Sequence, residues 1–112
     1  MALAGPSFEI REGVDADGVV RLALIGELDI AVADRVEERF RELREAGQRV
    51  RLDLSELEFI DSSGVRAIVL ALKHARESGS ELEVDRRISP TVERMIEIMG
   101  IGSQLWPGDS TD

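Results

Sequence analysis

Residues 50–72 read Val50-Arg-Leu-Asp-Leu54, Ser55-Glu-Leu-Glu-Phe-Ile60, Asp61-Ser-Ser-Gly64 and Val65-Arg-Ala-Ile-Val-Leu-Ala-Leu72. The first block alternates apolar and polar with period two, the signature of a half-buried strand. The last block places Val65, Ile68, Val69 and Leu72 on one face of a helix. Ala67, Leu70, Ala71 and Ala75 leave little of its circumference polar, so this helix is expected to be largely buried. Ser55 to Ile60 is read as a short connector. A strand that feeds a buried helix through a small, polar junction belongs to an α/β architecture with parallel crossovers.

Upstream, Phe8 to Glu12 alternates as a short strand, and Val19 to Ile25 is a β-branched-rich second strand. Asp15-Ala-Asp-Gly18 between them reads as a hairpin turn, because glycine tolerates positive φ and aspartate bonds its own backbone. The same residues resemble the start of a calcium loop, but the twelfth position from Asp15 is Gly26 rather than glutamate, which favours the turn. Asp29 is a good N-cap for a helix with Val32, Val36, Phe40 and Leu43 inward, a charged outer face and Gly47 as terminator. Downstream, Glu77-Ser-Gly79 ends the buried helix and Glu81 to Asp85 is a short strand. Ser89 and Pro90 open a last helix, with Val92, Met95, Ile96 and Met99 as the inward stripe and Gly100 as its stop. The predicted order is β-β-α-β-α-β-α: one antiparallel hairpin, then parallel crossovers, in a mixed sheet packed with helices. Residues 1–7 are expected to be a flexible N-terminus, 8–101 the domain and 102–112 a C-terminal tail, mobile from Gly108.

The chain has 112 residues, room for one core but not two. It has no cysteine, which excludes disulfides and thiolate metal sites and suits a cytoplasmic protein. Met1 to Ile10 shows no secretory signal, and Ala67 to Leu72 is far shorter than the ~20 apolar residues of a membrane span. Fourteen basic against twenty-three acidic residues give a net charge of −9, which argues against nucleic-acid binding and suits a solvated acidic exterior.

Few residues are equipped for chemistry. His74 is the only histidine, and on the same helix it stands roughly 18 Å along the axis from Ser62, too far for a serine–histidine dyad. No carboxylate cluster has metal-ligand spacing and no phosphate-binding glycine loop is present, so neither an enzyme nor a cofactor is expected. Asp61-Ser62-Ser63-Gly64 is the most informative stretch. Asp61 or Ser62 is placed to cap the helix, and Ser62 or Ser63 is placed to carry a phosphate, which the positive end of a helix tolerates.

Three stretches, Gly26-Glu-Leu-Asp29, Leu52-Asp-Leu-Ser-Glu-Leu-Glu-Phe-Ile-Asp-Ser-Ser-Gly64 and Ile88-Ser-Pro-Thr-Val-Glu93, resemble the STAS domains of bacterial anti-sigma factor antagonists. The resemblance runs from about Phe8 to Ile101, with Asp-Ser-Ser-Gly after Phe-Ile its most specific element. It implies a non-catalytic cytoplasmic regulator. Its unphosphorylated form binds an anti-sigma factor that is itself an ATP-using serine kinase, and so frees a sigma factor. The resemblance assigns the phosphoacceptor to Ser62 and its reversal to a serine phosphatase. The partner-facing positions it implies are Asp29, Asp61, Ser63, Gly64 and Val65. Arg66 departs from the pattern, because many relatives carry Gly-Leu-Gly where this chain has Gly64-Val-Arg66, and this bears on which kinase fits. The alternative is a STAS module without a phosphate cycle, a structural subunit of a signalling scaffold or a lipid-transport complex.

Overall fold

A computed structural model describes residues 7–108. The hairpin comes first: β1 (Phe8–Val14) pairs antiparallel with β2 (Val20–Leu28), with Phe8 opposite Gly26 and Val14 opposite Val20. Its turn closes as the sequence predicts, the Gly18 amide donating to the Asp15 carbonyl at 2.9 Å and Gly18 at φ +84°. β2 then feeds α1 (Ile30–Glu45), followed by β3 (Val50–Leu54), β4 (Leu57–Ile60), α2 (Ser62–Ser78), β5 (Leu82–Ile88), α3 (Pro90–Met99) and the single turn α4 (Gly102–Leu105). β3 lies parallel between β2 and β5, giving the order β1-β2-β3-β5, and β4 pairs parallel with the far end of β2. This is the expected mixed α/β sheet with its antiparallel start.

One strand was not expected. Residues 57–60 form β4 rather than a plain connector, pairing with β2, although only Leu57 and Ile60 turn inward while Glu58 and Phe59 stay exposed. That pattern lacks the period-two alternation by which a strand is recognised. β4 extends the sheet where β3 ends. A register shift between Gly26 and Glu27 accompanies the change, with Gly26 at φ +95°. A side chain at Gly26 would also collide with the Ser7 carbonyl oxygen, so both conformation and space require glycine here.

Leu22, Leu24, Leu28, Leu52, Leu54 and Leu57 are fully buried beneath α1 and α2, which contribute Val36, Phe40, Val65, Ile68 and Leu72. Burying each such side chain contributes about 1.5–3 kcal/mol relative to exposure. The three long helices begin on the expected caps. Asp29 accepts from the Ala31 amide, Asp61 from Gly64 and Ser89 from Val92. α2 and α3 end on left-handed Gly79 and Gly100.

Two expectations need correction at the C-terminal end. Met99 does not join the inward stripe; it is 41% exposed, whereas Val92 and Ile96 are buried and Met95 packs partly against the core. The packed body also continues past Ile101, because Leu105 is buried and the Trp106 indole donates to the Val84 carbonyl at 2.9 Å. That bond occupies an acceptor on edge strand β5, which would otherwise be open to pairing with another chain. The expected flexible N-terminus and mobile tail fall outside the described residues for 1–6 and 109–112.

Candidate functional site

β2 and β4 run parallel and end together, with Leu28 opposite Ile60 in register. The next residues, Asp29 and Asp61, therefore cap α1 and α2 side by side. Each carboxylate accepts from its own helix, Asp29 from Ala31 at 3.0 Å and Asp61 from Gly64 at 3.0 Å. Asp61 does one thing more: its second oxygen accepts from the Ile30 amide at 3.3 Å, so one side chain ties the two helix starts together. The Asp61 amide donates back to the Leu28 carbonyl at 3.2 Å. Sequence spacing shows two caps but not this link, which exists only because strand pairing aligns the ends of β2 and β4.

Gly64 explains how closely the two segments approach. A Cβ there would lie 2.6 Å from Leu28 Cγ, 2.9 Å from Ile60 Cγ1 and 2.9 Å from the Leu28 carbonyl oxygen. Real side chains do not tolerate such contacts without displacing their neighbours. Gly64 is buried and Val65 is only 5% exposed, so neither presents a side chain to a visitor. They set the seat of α2 from inside, and the close approach that Gly64 permits is to this chain's own Leu28 and Ile60.

Ser62 is the first residue of α2 and is exposed, and Ser63 is half-buried. Among the described residues the Ser62 hydroxyl has no hydrogen-bond partner. Ile30, 75% exposed, and Phe59, 44% exposed, flank the two caps in sequence and add apolar surface beside them. Neither stood out in the sequence, where each reads as one more apolar residue in an apolar segment. His74 is exposed and lies in the groove between α1 and α2 with Asp34, Glu37 and Arg41, as expected of a surface residue.

Residues 13–107 match the family described as Mlab, STAS domain. The chain belongs to the STAS domain family. Among its relatives is the anti-sigma-B factor antagonist of Listeria monocytogenes, 34% identical over 96 residues, spanning 85% of this chain and 82% of that protein. The crystal structure of an anti-sigma factor antagonist from Mycobacterium paratuberculosis superposes with a TM-score of 0.75 over 92% of this chain and 87% of the other, at 24% identity. The Bacillus cell fate determinant SpoIIAA in its phosphorylated form has the same fold, with a TM-score of 0.65 over 86% of this chain and 87% of its own, at 19% identity. This STAS domain thus shares its overall fold with both solved structures.

The carboxylates elsewhere in the chain are differently employed. The side chains of Arg21, Arg51, Asp53, Glu83 and Asp85 lie on the sheet face turned away from the core and bond one another and the hairpin turn. Arg21 reaches Asp15 at 3.1 Å, Asp53 at 3.2 Å and Asp85 at 3.1 Å, and Arg51 reaches Asp15, Asp17 and Glu83 at 2.7–3.0 Å. These arginines, Arg21 foremost, hold the Asp15 carboxyl below the ordinary aspartate range. The turn that resembles a calcium loop has its acidic groups committed to arginines and to the Val19 amide. Among the described residues no helix is long and apolar enough to cross a membrane.

Proposed function

We propose that this STAS domain is a cytoplasmic anti-sigma factor antagonist. In its unphosphorylated form it binds an anti-sigma factor serine kinase, and phosphorylation of Ser62 ends the binding. The observation that carries the reading is the placement of Ser62: an exposed, unbonded hydroxyl at the first position of a helix whose start is fixed by Asp61 and Gly64. A kinase can reach such a hydroxyl without unfolding anything. The γ-phosphoryl group passes from ATP to Oγ of Ser62, ADP departs and the hydroxyl proton goes to the kinase. ATP belongs to the partner, and the antagonist itself has no catalytic role. A serine phosphatase restores the binding form.

The phosphate adds roughly −1.5 to −2 charges at neutral pH. It arrives beside Asp29 and Asp61, neither of which is paired with an arginine or lysine among the described residues. An already negative patch becomes more so, and the added bulk stands over the contact surface that Asp29, Asp61, Ser63, Ile30 and Phe59 would offer. The switch is electrostatic and steric, with the fold unchanged.

The test is mass spectrometry after incubation with the anti-sigma factor kinase and ATP. A single phosphate on Ser62, absent in Ser62→Ala, is expected, and modification confined to other residues would refute the assignment. Ser62→Ala should stay bound in the presence of ATP, and Ser62→Asp should bind more weakly. A second reading, a structural subunit without a phosphate cycle, is favoured by the Mlab description of the matching family. It predicts co-purification with membrane transport subunits and no labelling of Ser62 by any partner kinase.

A further inference from the structure

We infer that Arg66 is the intramolecular seat of the Ser62 phosphate: after phosphorylation its guanidinium grips the phosphate oxygens from one helical turn along α2. This rests on Ser62 being the phosphoacceptor and adds what becomes of the phosphate once it is there. Ser62 and Arg66 are both exposed and four residues apart on α2, a spacing that puts their Cβ atoms about 5–6 Å from each other. An anion N-terminal to a cation at this spacing is the favourable order, and it also agrees with the helix dipole. The planar guanidinium matches a phosphate with two parallel N–H donors, which a lysine cannot do.

Arg66 is uncommitted as well as near, unlike the arginines that hold carboxylates elsewhere. Arg21, Arg39 and Arg51 are each already bonded to two or more carboxylates. Arg66 makes no hydrogen bond or ion pair among the described residues, so no existing contact has to break when the phosphate arrives. The next cation along α2 is Lys73, which lies about 16 Å along the axis from Ser62 and is out of reach. On the other side Asp29 and Asp61 repel the phosphate and so direct it along the helix toward Arg66. The phosphate is then held in one place over the first turn of α2, where it blocks docking, instead of sampling solvent.

The experiment uses the whole chain with phosphoserine installed at position 62 during translation, without a kinase. Phosphorus-31 NMR follows the second ionisation of the phosphate in the parent, in Arg66→Ala and in Arg66→Lys. The Arg66→Ala midpoint should rise by about 0.3 pH units or more, Arg66→Lys should fall between, and high salt should shrink the differences. Asp29 and Asp61 raise the midpoint in all three proteins and cancel in the comparison. The Arg66 Nε–H resonance should also move downfield in the phosphorylated chain and not in the unphosphorylated one. Identical midpoints with an unmoved Arg66 resonance would overturn the inference while leaving Ser62 as acceptor. A kinase that labels another residue would undo the acceptor assignment without touching this titration.

Discussion

The two ends of β2 use the same residue type in opposite ways. At its start, Asp15 and Asp17 in the hairpin turn are held by Arg21 and Arg51, and Asp53, Glu83 and Asp85 extend the pairing across the open face of the sheet. At its finish, Asp29 and Asp61 hold backbone amides and no cation. The first arrangement neutralises charge and leaves the backbone to the ladder hydrogen bonds. The second leaves the charge standing and spends the carboxylates on fixing two helix starts. A surface of matched ions responds little to one more charge, whereas two carboxylates bonded only to backbone amides leave their charge to act on a phosphate set beside them. The finish of β2 is the end at which the proposed phosphate switch would act.

The largest effect should come from breaking the rigidity of that end. Gly64→Ala forces a methyl group into Leu28 and Ile60 and should cost about 2–3 kcal/mol in urea unfolding. Asp61→Ala comes next: it removes both the α2 cap and the tie to Ile30 and should cost about 1–2 kcal/mol. Asp29→Ala, which loses a single cap bond, should cost less, about 1 kcal/mol. Equal costs for the two aspartates would mean that the link between the helix starts contributes nothing.

At the other end the expected effects are smaller and depend on pH. The folded-state pKa of Asp15 is depressed by Arg21 and Arg51, so its stabilisation is complete above its unfolded pKa of about 3.9 and fades as pH falls through the lower folded value. Asp15→Asn should therefore be less stable than the parent at neutral pH, with the gap closing below about pH 4 and narrowing in high salt. Thermal melts across pH and ionic strength would show it, and a gap that persists at low pH would contradict the ion-pair account.

Much of this contrast was legible in the sequence, and the reasons for the gaps are specific. Asp29, Asp61 and Ser89 announce themselves as caps because a short acceptor before an apolar-periodic run has few other uses. Asp-x-Asp-Gly between two alternating runs likewise marks the hairpin. β4 escaped because Leu57 and Ile60 are separated by two exposed residues and so mimic a connector. The docking of Leu105 and Trp106 is a tertiary fact, a single turn and one indole bond with no periodicity to betray them. Gly64 was recognisable as a close-approach residue, but sequence alone does not say that its neighbour is Leu28 rather than a partner. The tie from Asp61 to Ile30 spans 31 positions and depends on strand register, which short-range patterns do not encode.

The most direct test compares the affinity of the anti-sigma factor kinase for this chain carrying serine and carrying phosphoserine at position 62. The account predicts a loss of at least about tenfold on phosphorylation, some 1.4 kcal/mol, with circular dichroism unchanged. Equal affinity for the two forms, or a loss that appears only because the phosphorylated chain unfolds, would contradict it.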